Sequence, residues 1–253
     1  MNFRVVSGLE LNLFMPVFKK SHKALLSNFY SASDDSNYEM IELTDSVIIR
    51  RSVHDFYRLY VCSSNLKELK DALLELKDNT YIINIPTKKT IDDWKDLFNG
   101  TGFDYLARYD RYFNTQIEQR DSEIGQTALS NDIEGIYNLI YCGQFSEYTD
   151  YLPSREELTK MIDNNQIIVN KDGEKVLGVI IYTIEGKKCY INLWIDRSGE
   201  GLFLLFDVYN IMVEQGIKAS YFWVDSLNKK VIKIHKLTGA VPDGISDYTF
   251  IKK

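Results

Sequence analysis

The sequence predicts an α+β chain, layered in the α/β manner, built as two successive units, each a mixed and mostly antiparallel sheet flanked by helices. Three observations carry this. Short period-2 runs rich in β-branched and aromatic residues alternate along the whole chain with longer runs of helical period. A polar, aromatic-free stretch at 115–124, TQIEQRDSEI, divides the chain, leaving roughly 120 residues on either side, an ordinary domain size. Both sides also read in the same order, β-β-β-α-β-α-Gly-β, which implies a tandem repeat of one diverged fold. The expected domains are 1–115 and 116–253, with a boundary or crossing strand at 115–124.

In the first unit, runs at 38–43, 47–51 and 56–62 read as strands joined by short turns. Leu66, Leu69, Leu73 and Leu76 form one stripe of a helix. A strand follows at 81–85. Thr90 then stands as a helix cap before Asp92 and Asp93, and that helix runs to Asn99. Gly102 and Phe103 lead into an aromatic strand at 105–113, and Phe103, Tyr105, Tyr109, Tyr112 and Phe113 read as core and interface.

In the second unit, Ser130 is placed to cap a helix carrying Ile133, Ile136, Tyr137 and Ile140. Ser154, followed by Glu156 and Glu157, opens another that carries Leu158, Met161 and Ile162. Strands at 166–169, 176–184 and 189–195, with turns at Gly173 and Gly186, make an antiparallel meander. The helix at 201–215 is apolar nearly all round, so it is expected deep in the core, with Gly216 closing it. A strand at 219–224, a helix at 228–237 and a strand at 248–251 complete the unit.

Composition narrows the function. The 253 residues are 45% hydrophobic and 26% charged, enough for a sizeable core. The net charge of −6 and the lack of a basic run speak against nucleic acid. No stretch approaches the length of a membrane span, and the N-terminus lacks the pattern of a secretion signal, so the expectation is cytoplasmic. Three well-separated cysteines suit a reducing compartment. Three scattered histidines, with no ligand spacing, predict no metal.

Chemistry concentrates in two segments. In Leu193-Trp194-Ile195-Asp196-Arg197-Ser198-Gly199-Glu200-Gly201-Leu202, two glycines spaced by one residue open an apolar helix directly after a strand. Such a turn aims backbone N–H groups and a helix dipole at one point, which favours an anion. In the second segment, Asn228 is followed by Val231, Ile232, Ile234, His235, Gly239 and Ala240 at +3, +4, +6, +7, +11 and +12.

Together these segments resemble the GNAT superfamily of acyl-CoA-dependent N-acyltransferases. The match holds the Asn, three apolar positions and the Gly, with His235 where Tyr is usual and Ala240 where Phe is usual. Gly199 and Gly201 fit the family's Arg/Gln-x-x-Gly-x-Gly/Ala turn, with Asp196 at its first position and Arg197 displaced by one. The likeness covers about 125–253 and, more faintly, the first half. It implies acetyl-CoA as co-substrate, its pyrophosphate cradled by Arg197, Ser198, Gly199, Glu200, Gly201 and Leu202. Leu193, Trp194 and Ile195 would pair with the pantetheine arm, and Asn228 would contact it further along. His235 would protonate the departing thiolate as general acid.

Asp196 and Glu200 add unfavourable charge beside a diphosphate unless both point to solvent. No general base is evident among Glu185, Asp196 and Asp225. The matching turn of the first half, at 62–66, has no glycine, with Ser63 or Ser64 as an ordinary cap, so that half is expected not to bind acyl-CoA and to shape the acceptor pocket or a dimer face instead. The acceptor is a primary amine of a small molecule or peptide, its pocket drawn from 132–163. A homodimer stays open as a partner, a non-catalytic binding module of the same fold is the alternative function, and aminoacyl transfer of the Fem type ranks last.

Overall fold

The computed structural model describes residues 2–33, 37–142 and 145–253. They form two compact units, one of residues 1–108 with 245–253, the other of residues 109–244. The junctions fall inside two strands, β7 (Asp104–Asn114) and β13 (Val241–Lys252).

The first unit begins with β1 (Arg4–Val6) and α1 (Gly8–His22), neither of which the sequence pattern predicts. Ser7 caps α1 by accepting the Glu10 amide, and Leu11, Met15 and Phe18 are its buried stripe. Pro16 inside the helix hides that signal, because proline ordinarily ends a helical run. Next come β2 (Leu26–Ser27), β3 (Tyr38–Glu42), β4 (Ser46–Val53), β5 (Phe56–Ser63), α2 (Leu66–Leu74), β6 (Thr80–Thr87) and α3 (Asp92–Phe98). The sheet order in this unit is β1-β3-β4-β5-β6-β13, with β2 on β5. Its two faces are covered separately. Leu11, Met15 and Phe18 of α1 pack on Met40, Val47 and Ile49, and α2 and α3 bury Leu69, Leu73, Trp94 and Phe98 against Ile48, Val61, Ile83 and Phe250.

Two caps differ from expectation. Asn65, rather than Ser63 or Ser64, caps α2 by accepting the Glu68 amide, while Ser63 Oγ accepts the Asn65 amide. Thr90 does not cap α3; its N–H and hydroxyl both donate to the Asp93 carboxylate.

Strands β5 and β6 run parallel, paired from Phe56 opposite Thr80 to Leu59 opposite Ile83. Where that pairing stops, the chain fills the gap itself. Leu26 and Ser27 pair with Ser63 and Cys62. The Asn28 side-chain amide donates to the carbonyls of Leu59 on β5 (3.1 Å) and Asn84 on β6 (2.7 Å), and its oxygen accepts the Val61 amide.

The second unit contains β8 (Gln126–Thr127), a 3₁₀ turn at Ser130–Asp132, α4 (Ile133–Ile140), α5 (Arg155–Asp163), β9 (Ile167–Asp172), β10 (Lys175–Glu185), β11 (Lys188–Asp196), α6 (Gly201–Glu214), β12 (Ala219–Asp225) and α7 (Lys229–Leu237). The order is β7-β12-β11-β10-β9-β8, a mixed sheet flanked by helices. One face carries α4 and α5 through Ile136, Ile140, Leu158 and Ile162. The other carries α6 through Leu204, Leu205, Val208, Tyr209 and Met212. Ser154 caps α5 in a reciprocal box with Glu157. Ser130 does not cap α4; it opens the 3₁₀ turn, and Asp132 accepts the Leu129 amide.

The 115–124 stretch is neither strand nor helix. It is strapped along α6, where Arg120 and Asn210 exchange hydrogen bonds (2.7 and 2.9 Å) and Ser122 donates to the Phe203 carbonyl. The C-terminal strand, placed by the sequence in the second domain, pairs with β6 of the first unit from Ser246 opposite Thr87 to Lys252 opposite Tyr81. A strand's pattern states which side chains face a core, not which neighbour completes the ladder. Cys62 and Cys189 are buried thiols and Cys142 is exposed. No described helix is long and apolar enough to cross a membrane.

Replacing Asn28 with Ala leaves the Val61 N–H and two carbonyls without their partner. It is expected to lower stability by roughly 2–4 kcal/mol, measured as a lower denaturation midpoint, with Asn28→Asp recovering only part.

Candidate functional site

The site is an opening in the sheet of the second unit. The parallel pairing of β11 with β12 runs from Lys188 opposite Ala219 to Ile191 opposite Phe222 and stops there. On the other side of β11, Ile181 faces Leu193 while Tyr182 faces Ile191, so Asn192 is an extra residue. Such a bulge bends its strand and increases its twist. Asn192 is held by a hydrogen bond to Thr183 Oγ1 at 2.7 Å. Beyond the bulge, the edge of Leu193, Trp194 and Ile195 that faces β12 has no strand partner among the described residues, while β12 continues along β7, with Trp223 opposite Arg111 and Asp225 opposite Tyr109.

The strands part around a cavity of about 190 Å³, whose lining includes Leu193, Trp194, Asn228 and His235 of the predicted residues. Ile195, Arg197, Ser198, Gly199, Glu200, Gly201 and Leu202 lie outside that lining, at the end of β11 and the start of α6. Asn228 caps α7 by accepting the Val231 amide (3.1 Å).

His235 projects from α7 and is 2% exposed. Its ring stacks on Phe222 at 3.7 Å and meets Trp194 edge-on at 5.3 Å. Its Nδ1 and the Trp194 indole N–H are both buried without a partner. Burial lowers the His235 pKa to about 3, so the ring is neutral at physiological pH.

Tyr109, assigned by its strand pattern to the core, lines the cavity. Its hydroxyl donates to Asp150 Oδ1 at 2.9 Å. Burial, with the Asp150 carboxylate beside it, holds the phenol well above its usual range and therefore protonated. Asp150, Asp225, Phe145 and Trp223 also line the cavity, and among the described residues its lining contains no Lys or Arg. Alternation along β7 signals which face Tyr109 occupies, but nothing local signals that β12 leaves an opening there. Residues 143 and 144 of the segment expected to shape the acceptor pocket lie outside the described residues.

The turn after β11 has a definite internal structure. Asp196 Oδ1 accepts the Ser198 hydroxyl (2.6 Å) and amide (3.3 Å), Asp196 Oδ2 accepts the Gly199 amide (2.8 Å), and Ser198 Oγ accepts the Glu200 amide (3.0 Å). Asn170 donates to Ser198 Oγ and Glu200 Oε2. Arg197 is exposed, and its amide donates to the Leu177 carbonyl. Neither carboxylate is left to solvent alone, as compatibility with a diphosphate would require. Gly199 takes φ +90°, a conformation glycine adopts without a Cβ clash.

No protein-family model and no curated protein sequence matches this chain. Solved structures do. An acetyltransferase of the GNAT family from Colwellia psychrerythraea superposes with a TM-score of 0.60 at 11% identity, covering 100% of both chains. A GCN5-related N-acetyltransferase from Sphaerobacter thermophilus gives 0.59 at 11% identity, covering 99% of this chain and 95% of that one. A conserved protein from Enterococcus faecalis, described as a probable N-acyltransferase, gives 0.53 at 12%, covering 99% and 72%. The chain has a GNAT fold.

The His235 environment sets a pH dependence. A histidine near 6.5 when unfolded and near 3 when folded binds its proton only in the unfolded state between those values, so stability falls as pH drops through that window. At pH 5 the loss is about 2 kcal/mol relative to pH 7. Thermal midpoints recorded from pH 7 to pH 5 should fall less steeply for His235→Phe than for the parent.

Proposed function

We propose that the chain is an N-acyltransferase in which a primary amine of a small molecule or peptide attacks the thioester of acetyl-CoA, or another acyl-CoA, held between β11 and β12. The observation that carries this is the opening itself, where a bulge at Asn192 leaves the edge of Leu193, Trp194 and Ile195 unpaired beside a cavity. An extended arm bearing amides adds to such an edge as a further strand. Solved acetyltransferases of the same fold support the choice of chemistry.

In this reading the neutral amine attacks the thioester carbon, a tetrahedral intermediate forms, and the carbon–sulfur bond breaks. His235, neutral and poor in partners, hydrogen-bonds the departing thiolate through a ring N–H without giving up its proton. Tyr109, kept protonated, is a second donor on the same wall. The amine's own proton leaves through water. Asp150 and Asp225, with no Lys or Arg among the described residues of the cavity wall, favour an acceptor that arrives as a cation.

The chain is further read as a tandem of GNAT-like copies, the first degenerate. Support comes from β3-β4-β5-α2-β6 and β9-β10-β11-α6-β12, each a three-stranded meander, a helix and a strand parallel to the third. In the first copy Asn28 and β2 fill the gap, so the donor belongs to the second. A cytoplasmic setting and a homodimer belong to the same proposal. The alternative, a non-catalytic module, is favoured by one feature, the Asp196 carboxylate seated on the turn amides.

Calorimetric titration with acetyl-CoA is expected to show binding, and incubation with a panel of amines to show acetyl transfer. Absence of both heat and thermal shift would count decisively against the enzyme, whereas transfer to any amine would exclude the non-catalytic module. His235→Phe is expected to lower kcat by about 10²–10³-fold with a small change in KM, and Tyr109→Phe to lower it less.

A further inference from the structure

In this fold the turn between β11 and α6 is where an anion would find free backbone amides, and here three of those amides are spent. Asp196 takes the N–H groups of Ser198 and Gly199, and Ser198 Oγ takes that of Glu200. The carboxylate is seated by the surrounding sequence. Asn170, Gly178 and Asp196 lie side by side across β9, β10 and β11. A Cβ on Gly178 would lie 2.8 Å from Asp196 Oδ1, and one on Gly201 would lie 3.0 Å from Asp196 Cβ. Two glycines thus make room for this side chain. Glu200, tethered by Asn170, puts a second carboxylate on the same turn. A diphosphate arriving there meets two carboxylates, and the amides of Ser198, Gly199 and Glu200 already paired.

We infer that Asp196 is a specificity-determining residue that closes the turn to diphosphate, so that the donor is selected through its acyl-pantetheine arm and gains little from a nucleotide diphosphate. This rests on the N-acyltransferase reading and narrows its donor. Acyl-CoA enters the cleft, and so does an acyl thioester on a pantetheine arm without adenosine diphosphate, whether free or carried on a carrier protein. The chemistry recognised is the amide-bearing arm along Leu193, Trp194 and Ile195.

The test is calorimetry on the full chain, without acceptor, using acetyl-CoA, acetyl-pantetheine and acetyl-phosphopantetheine on a carrier protein. Two charge-assisted hydrogen bonds to a diphosphate would separate CoA from pantetheine by a factor of about 100 or more. The expected result is a pair of dissociation constants within about tenfold of each other. Asp196→Asn, which keeps the size of the side chain and removes its charge, should shift the ratio toward CoA by about tenfold. Asp196→Ala gives the same reading where it folds, and the parent comparison needs no variant. A preference of the parent for acetyl-CoA beyond tenfold, or a ratio unmoved in Asp196→Asn, overturns the inference alone. Binding of none of the three thioesters overturns the N-acyltransferase reading and the inference with it. Tighter binding of the carrier-borne arm than of free acetyl-pantetheine supports the inference and assigns the source to a carrier protein; equal binding supports it with the free thioester as donor.

Discussion

The second unit is organised around a failure of β-pairing. Parallel strands β11 and β12 stay together for only part of their length, and the extra residue Asn192 turns β11 away from its neighbour. An unpaired strand edge buried in protein is costly, because each orphaned N–H or C=O forfeits its bond to water. The opening persists because both strands are fixed from their far sides, β11 by β10 and β12 by β7. Helix α6 closes one face with a nearly continuous apolar surface, and α7 sets His235 and Asn228 at the mouth. The cavity, its unpaired edge and its ring of proton donors all follow from that one bulge.

The first unit meets the same cost and removes it. Its parallel strands β5 and β6 also part, beyond Leu59 and Ile83. There the backbone groups are satisfied by Asn28 and by two residues of β2. One amide side chain bonds three main-chain groups on two strands, as complete a substitute as a single residue supplies. Where one opening is filled by the chain and the other is left to solvent, the energetic case for a ligand lies with the second.

Much of this was legible in the sequence. The meander at 166–195, the buried helix after Gly199 and Gly201, and the Ser154 cap each rest on local chemistry, and local patterns state local structure well. The Asn228 cap is local too, and the sequence starts a helix at that residue, while the family resemblance sets the same residue against the pantetheine arm. What escaped is what depends on distant partners. Helix α1 carries a proper cap and stripe, but Pro16 breaks the local rule and only packing against Met40, Val47 and Ile49 restores it. The pattern of β13 identifies a strand without identifying β6 as its neighbour. Tyr109 alternates like any core residue, and becomes a cavity residue only because β12 and β11 separate beside it. The direction of the Asp196 side chain turns on Gly178, eighteen positions earlier and adjacent only across the sheet.

Electrostatics then separates the two ends of the cleft. At the inner end, burial strips charge from the donors. His235 stays neutral because nothing compensates an imidazolium among Phe222 and Trp194, and Tyr109 stays protonated because burial penalises the phenolate and the Asp150 carboxylate lies beside it. Neutral N–H and O–H groups in a buried cavity wall are suited to meeting negative charge that develops on a leaving sulfur, since they need no counterion before the charge appears. At the outer end the sign is reversed. The turn that a helix dipole and a glycine pair would make attractive to an anion already holds one, supplied by Asp196. A carboxylate tethered two or three residues from the amides it binds is present at high effective concentration, so an incoming diphosphate must displace it as well as overcome its charge. Selectivity for the donor at such a site falls to the strand edge of Leu193, Trp194 and Ile195 rather than to the turn.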